Sequence, residues 1–228
     1  MPIIALGGKK RVGKDVFGGI LEKEYGYKRV AFGDPLKEFC SKVFNLHLDY
    51  FNSDDLKDKD FDRPIALDFH HVDKMRELLL EYGYEVDYET REKLEDFVEA
   101  TPAFKSPRHI LRVVGTNMVR GNVDDKIWIN KAIEIISNSG HKVVVTDCRF
   151  ESERKALRKL GAILVKIKRH DDGSTIEHEF DLGPDSDYDV IFDNSFTLNE
   201  YTSNVKTWYT LRRSDLEYYY DIKDIKNG

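Results

Sequence analysis

Two glycines and a lysine near the start of the chain have the types and spacing to do chemistry. The stretch Gly8-Lys9-Lys10-Arg11-Val12-Gly13-Lys14-Asp15 fits the pattern G-x-x-x-x-G-K. Backbone N–H groups in such a loop curl around a phosphate. A following helix adds the partial positive charge of its N-terminus, and the lysine adds a full one. The flanks suit this chemistry: Pro2 to Leu6 is a short apolar run, and Val16, Phe17, Ile20 and Leu21 recur at helical spacing. Asp15 stands where Ser or Thr usually contacts Mg²⁺. A carboxylate beside phosphates needs a cation between them, so Asp15 reads as a Mg²⁺ ligand, directly or through water. The bland alternative is a Gly-rich turn that merely joins a strand to a helix.

Further charged residues fall at places where anions bind. Lys142 to Thr146 is a continuous β-branched run, as a fully buried parallel strand should be. Asp147 and Arg149 follow its carboxyl end, the side on which open parallel sheets bind ligands. Arg149 either faces such a ligand or pairs with Glu151 or Glu153. In Gly33-Asp34-Pro35-Leu36-Lys37, Asp34 reads as an N-cap and Pro35 as the first helical residue. Lys37 then lies in a first helical turn, where a cation is slightly unfavourable to the helix dipole. It is either solvated or opposed by a bound anion. Arg63 is a lone cation beside Asp54, Asp55, Asp58, Asp60 and Asp62. It grips an anion or neutralises those neighbours. His70-His71 has no Cys or His partner at ligand spacing, so surface histidines are the expectation there.

Elements must position these residues. Strands are expected at Lys28 to Phe32, Ala162 to Lys168 and Asp189 to Phe192. Helices are expected at Lys14 to Tyr25, from Asp34 through Phe44, at Met75 to Tyr82, Tyr88 to Val98, from Ser106-Pro107 through Met118, from Asp124 or Asp125 through Ile136, and at Glu151 to Leu160. Gly18-Gly19 inside the first helix costs about 1 kcal/mol per glycine relative to Ala, which close packing on the sheet would offset. Gly115-Thr116 sits inside its helix or at a break. The alternation gives an α/β fold with a parallel sheet covered on both faces. Residues 49–105 read as a helical insertion on a single domain of residues 1–228, its charged helices mostly exposed. Residues 169–187 read as a mobile loop or lid, and 196–228 as a C-terminal helical segment with a stripe of Leu198, Tyr201, Val205, Trp208 and Leu211. The tail Tyr218-Tyr219-Tyr220 packs on the body or, as a homodimer contact, on a second subunit.

Composition bounds the function. Lys plus Arg is 36 and Asp plus Glu is 42, a net charge of −6. That balance argues against a nucleic-acid partner, since duplex binding depends on neutralising phosphates. Cys40 and Cys148 lie far apart in apolar runs and read as buried thiols of a reducing cytosol. No apolar run approaches a membrane span, and Pro2 to Leu6 is too short for a signal peptide.

An ordered set of motifs then resembles one family, the bacteriophage deoxynucleoside monophosphate kinases. The loop Gly8 to Asp15 is similar to that family's G-x-K-R-x-G-K-D, including the unusual aspartate. Gly33 to Lys37 resembles its second strand–helix turn, and Asp62-Arg63 its Asp-Arg pair. Arg108 through Leu111 to Gly115-Thr116 and then Trp128 resembles its R-x-x-L…G-T…W stretch. Thr146-Asp147-Cys148-Arg149 resembles its D-x-R at a strand end, and Glu179 and Asp193-Asn194 its lid glutamate and late N-D-type loop. The lid departs from several relatives, with Thr175-Ile176-Glu177-His178-Glu179 where they carry an earlier His.

The resemblance implies a phosphate-loop fold of the nucleoside monophosphate kinase type, three-layered, with a monophosphate-binding insertion and a lid. It implies transfer of the ATP γ-phosphoryl group to a deoxynucleoside monophosphate, with Mg²⁺, in a cytoplasm, the host's for a phage-encoded chain. On it, Gly8, Arg11, Val12, Gly13, Lys14, Asp15 and Val16 hold ATP, with Lys14 on the β- and γ-phosphates. Arg169 stacks on the adenine or joins a solvated cluster with Lys166 and Lys168, and Asn194 belongs to the same nucleotide site. Lys10 points toward the acceptor, and Asp34, Lys37, Arg63 and Arg108 surround its phosphate. Gly115, Thr116, Trp128 and Asp147 shape the base pocket, although Trp128 also reads as core. Arg149 bridges donor and acceptor as a finger-like cation. Related phosphomevalonate kinases share a similar loop, so another small-molecule phosphate kinase is the first rival. A nucleotide-binding module without turnover is the second.

Overall fold

The β-branched and apolar runs form one sheet. The computed structural model describes residues 1–101, 103–169 and 182–227, with side chains to residue 214. β1 (Ile3–Gly7), β2 (Lys28–Val30), β3 (Val143–Val145), β4 (Ile163–Lys168) and β5 (Val190–Asp193) pair in parallel in the order β2-β3-β1-β4-β5. Three of the strands are one or two residues shorter than their apolar runs. All three residues of β3 are fully buried, which accounts for its unbroken run of valines.

The helices are α1 (Lys14–Tyr25), α2 (Asp34–Phe44), α3 (Asp49–Asn52), α4 (Asp54–Lys57), α5 (Phe69–Glu81), α6 (Tyr88–Ala100), α7 (Pro107–Arg112), α8 (Ile127–Ser137), α9 (Glu151–Lys159) and α10 (Leu198–Asn227). α7 continues as a π-helical stretch, Val113–Arg120, so Gly115-Thr116 lies within a widened helix and not at a break. Ser106 caps α7 as its sequence implies, accepting from the His109 N–H. Asp34 does not cap α2. It is the first helical residue, and Gly33 occupies the cap position.

The chain divides into two compact units, Met1–Phe32 with Ala132–Gly228, and Gly33–Lys131. The second is wider on both sides than the insertion expected at 49–105. Each has its own core. In Gly33–Lys131, Phe39, Phe51, Met75, Leu79, Leu94 and Phe104 are fully buried. α5 is therefore a core helix, burying Val72, Met75, Leu78 and Leu79 on one stripe, and not the mostly exposed helix its charges suggest. In the sheet-bearing unit, Phe17 of α1 meets Phe192 and Trp208 edge-on, with ring centroids at 5.2 and 5.5 Å. The expected stripe of α10 holds at Tyr201 and Val205 but not at Leu198 or Leu211, which are exposed. Tyr209 is buried instead. Gly18 packs closely, since a Cβ there would come within 2.7 Å of Thr146, whereas Gly19 faces open space and its cost has no such return.

Sheet order decides what meets what. β1 lies directly between β3 and β4, with Ala5 in register with Val145. All strands run the same way, so the loop after β1 and the turn after β3 emerge side by side. Residues more than a hundred positions apart thus become neighbours.

Candidate active site

The loop after β1 has the backbone that phosphate binding needs. Gly8 and Gly13 have φ of 139° and 103°, and Arg11 adopts φ 64°. A Cβ on Gly8 would stand 2.5 Å from the Ile167 carbonyl oxygen, and one on Gly13 2.5 Å from Asn194 Nδ2. Both positions therefore need glycine for handedness and for space. No side chain caps α1 at Gly13, which leaves the N–H groups of its first turn to an anion.

Lys14 turns back over this loop. Its Nζ donates to the Gly8 carbonyl at 2.8 Å and the Lys9 carbonyl at 2.5 Å. Burial pushes its pKa down to about 8, the charge of Arg149 pushes the same way, and Asp15 and Asp147 pull against them. Four charged groups from two segments therefore share one neighbourhood. A half-buried lysine next to an arginine is a site that gains by taking up an anion, so these residues fit a nucleotide's phosphates.

The D-x-R turn after β3 is held from several sides. Asp147 Oδ1 accepts the Phe32 N–H at 2.8 Å, fastening the chain after β2. The N–H groups of Arg149 and Phe150 donate to Glu153 Oε2 at 2.6 and 3.0 Å. Arg154 donates to the Arg149 carbonyl at 3.3 Å and to Asp187 at 3.1 Å. Glu153 thus holds the Arg149 backbone, and the charge of Arg149 also acts on its carboxyl. Glu153 and Arg154 are both buried. The sequence offers Glu153 only as an alternative partner of Arg149 and gives Arg154 no role; the signal for the backbone role is a Glu at the third helical position, the capping-box spacing. Burial pushes the Glu153 pKa up to about 7, against the pull of the two N–H bonds.

Other expected nucleotide ligands have varied surroundings. Asp15 is highly exposed, and Arg29 of β2 donates to it at 2.8 Å. Arg29 had no signal in the sequence. Lys10, Arg11 and Arg169 are exposed and make no ion pair among the described residues, while Val12 is buried and Val16 exposed. Asn194 is buried, and its Nδ2 donates to the Val12 carbonyl at 2.8 Å. Lid residues 170–181, with Gly173, Thr175 to Glu177, His178 and Glu179, lie outside the described residues, as do the side chains of Tyr218 to Tyr220.

Within Gly33–Lys131, Lys37 Nζ donates to Asp34 at 3.1 Å. Arg108 makes a two-pronged contact with Asp58, its Nη2 donating to Oδ2 at 2.9 Å. Arg63 is exposed and has no hydrogen bond or ion pair among the described residues. It does not neutralise its acidic neighbours as the bland reading had it: Asp54 and Asp58 are taken by Lys57 and Arg108. Trp128 is core, not an open platform. It is 7% exposed, meets Phe39 edge-on, and its Nε1 donates to the Gly115 carbonyl at 3.0 Å. Gly115 is buried against Leu36, which a Cβ would approach to 2.4 Å, and Thr116 is exposed. His71 acts in a capping box with Asp68 at the start of α5. Burial pushes both cysteine thiols up, as for inert core residues.

Comparison with known proteins adds a family. The model of the family described as deoxynucleotide monophosphate kinase matches residues 75–205. The chain belongs to this family. Among its relatives is a protein of Enterobacteria phage T4 named deoxynucleotide monophosphate kinase, 23% identical over 235 residues, covering 90% of this chain and 98% of the relative. A protein of Acanthamoeba polyphaga mimivirus, named putative deoxynucleotide monophosphate kinase, is 26% identical across 90% of this chain and 94% of its own. The deoxynucleoside-5′-monophosphate kinase of Escherichia phage T5 is 23% identical over 67% of this chain and 69% of its own. The family match begins after the phosphate loop, and it takes in Arg108, Asp147, Arg149 and Asn194. This kinase has the α/β fold with an all-parallel sheet that its alternating elements imply. Among the described residues no helix is long and apolar enough to cross a membrane.

Proposed function

We propose that the protein transfers the γ-phosphoryl group of ATP to the phosphate of a deoxynucleoside monophosphate, giving the diphosphate and ADP. The observation that carries this is the half-buried Lys14 folded onto the carbonyls of the glycine loop, in the field of Arg149 and Asp147 from the end of β3. Both reactants are anions and the transition state spreads negative charge, so positioning and cationic stabilisation supply most of the catalysis. The loop N–H groups and Lys14 hold the β- and γ-phosphates, and Arg11 reaches the same chain of phosphates. Asp15 would hold Mg²⁺, directly or through water, and the metal would neutralise charge on the phosphates. Arg149 stabilises the transferring group. Lys37, Arg63 and Arg108 grip the acceptor phosphate, where guanidinium forks suit a bidentate hold, and Lys10 points toward the acceptor. Residues 169–187 act as the lid, and the acceptor unit takes in the insertion at 49–105.

A coupled ADP-release assay with ATP, Mg²⁺ and each of the four deoxynucleoside monophosphates tests this. Turnover that depends on at least one of them is expected. Turnover only with a phosphorylated acceptor that carries no base, or none with any acceptor, overturns it.

A further inference from the structure

The outer face of the phosphate loop has a support of its own. A loop that turns its N–H groups toward phosphate turns its carbonyls away, and each buried carbonyl then needs a donor. In a continued helix the Val12 carbonyl would take the Val16 N–H. Gly13, at φ 103°, breaks that register and starts α1 one residue later. The Val12 carbonyl is taken instead by Asn194 Nδ2 at 2.8 Å. The Gly13 carbonyl accepts the first helical N–H, from Phe17 at 3.0 Å, and also the Tyr201 hydroxyl at 3.2 Å.

Both donors are rigidly placed. The Asn194 N–H donates to the Lys168 carbonyl at 2.8 Å, which extends the β4–β5 pairing to this residue. Thr197 and Glu200 bond reciprocally at the start of α10, with the Thr197 N–H on Glu200 at 3.0 Å and the Glu200 N–H on Thr197 at 3.4 Å. Tyr201 is 1% exposed and its ring meets Phe192 edge-on, with centroids at 5.7 Å. Asn194 is buried and spends an amide proton on the loop, which is the position of a brace and not of a group facing a nucleotide base.

We propose that Asn194 and Tyr201 are positioning residues for the phosphate loop: they hold the Val12 and Gly13 carbonyls outward, so that the end of β5 and the first turn of α10 set the affinity for the donor's phosphates. This rests on the phosphate-loop reading of Gly8 to Val16. It replaces direct nucleotide contact by Asn194 with a contact through the loop.

The variants are Asn194→Asp, which keeps the shape but loses the donor, and Tyr201→Phe, which loses only the hydroxyl. Binding of ADP and of inorganic tripolyphosphate is measured by calorimetry on the full chain, with KM for the monophosphate alongside. Asn194→Asp is expected to weaken both ligands about tenfold or more, and Tyr201→Phe about threefold, with KM for the monophosphate unchanged within about twofold. Equal loss for both ligands marks a loop effect. Loss for ADP with tripolyphosphate spared would mean a direct base contact and overturn the proposal. So would unchanged affinities in Tyr201→Phe, a variant that keeps the core ring should Asn194→Asp fail to fold. A wild-type protein that binds neither ligand would instead remove the phosphate-loop reading itself.

Discussion

Lys14 of the sheet-bearing unit and the pair Lys37 and Arg108 of the other unit are kept in opposite ways. In the sheet-bearing unit Lys14 is held on loop carbonyls, beside a second cation, with its pKa depressed. In the Gly33–Lys131 unit Lys37 and Arg108 rest on carboxylates of their own unit, Asp34 and Asp58, while Arg63 has no such partner among the described residues. The first arrangement is charged for an anion before one arrives. The second must give up an existing partner for each cation it commits, apart from Arg63. On the proposed roles, preorganisation is concentrated at the donor loop, and much of the acceptor grip forms by exchange, at a cost in affinity.

The sharpest break of this contrast is Lys14→Ala. It should lower phosphoryl transfer by about 10³-fold or more while circular dichroism and the melting temperature show an intact fold. Arg149→Ala comes next. A cation acting on the transferring group should lose about 10²-fold or more in kcat with little change in either KM; a change confined to KM would move it to substrate binding.

The acceptor side should respond less. Arg63→Ala is expected to raise KM for the monophosphate about tenfold, on the order of one charge-assisted contact, with KM for ATP unchanged. Asp58→Asn sharpens the point: releasing Arg108 from its carboxylate should lower KM for the monophosphate by about threefold, within the range of an exposed ion pair. An increase would show that the pair is needed to aim Arg108.

Smaller effects come from pH. Lys14 is cationic below its depressed pKa of about 8, and a bound polyphosphate raises that pKa. Affinity for ADP should be flat toward neutral pH and fall as pH rises through about 8. Binding there should take up a proton, visible by calorimetry in two buffers of different ionisation heat. Glu153 works on stability. Its carboxyl is raised from 4.5 to about 7 by burial, so its ionisation penalises the folded state. The penalty is absent below the unfolded value, grows as pH rises, and is complete above about 7. Glu153→Gln keeps an acceptor oxygen for the Arg149 and Phe150 N–H groups, so its gain in melting temperature over wild type should be larger near pH 8 than near pH 5.

Much of the donor loop was legible in the sequence, because everything that makes it is local: two glycines, a lysine, an apolar run before and a helical stripe after. α1 has the expected bounds, Lys14–Tyr25. The braces of the loop were not legible. Asn194 stands in the N-D-type loop and Tyr201 in the stripe of α10, but both lie more than 180 residues downstream of the loop they brace, and nothing in their types or spacing points to its carbonyls. Trp128 shows the other limit. Its place after the G-T pair suggested a base platform, but whether an aromatic ring is open or buried depends on the facing helix, here on Phe39 of α2.

The sequence alone determined the periodicities, the glycine spacing and the alternation of strands and helices, because backbone sterics and amphipathic faces act over a few residues. Only the tertiary structure decided which charges meet. The order β2-β3-β1-β4-β5 puts the end of β3 beside the end of β1 and so brings Arg149 to Lys14. Electrostatic interaction and hydrogen bonding depend on distance in space, and the sheet order that sets those distances is chosen by the whole core at once.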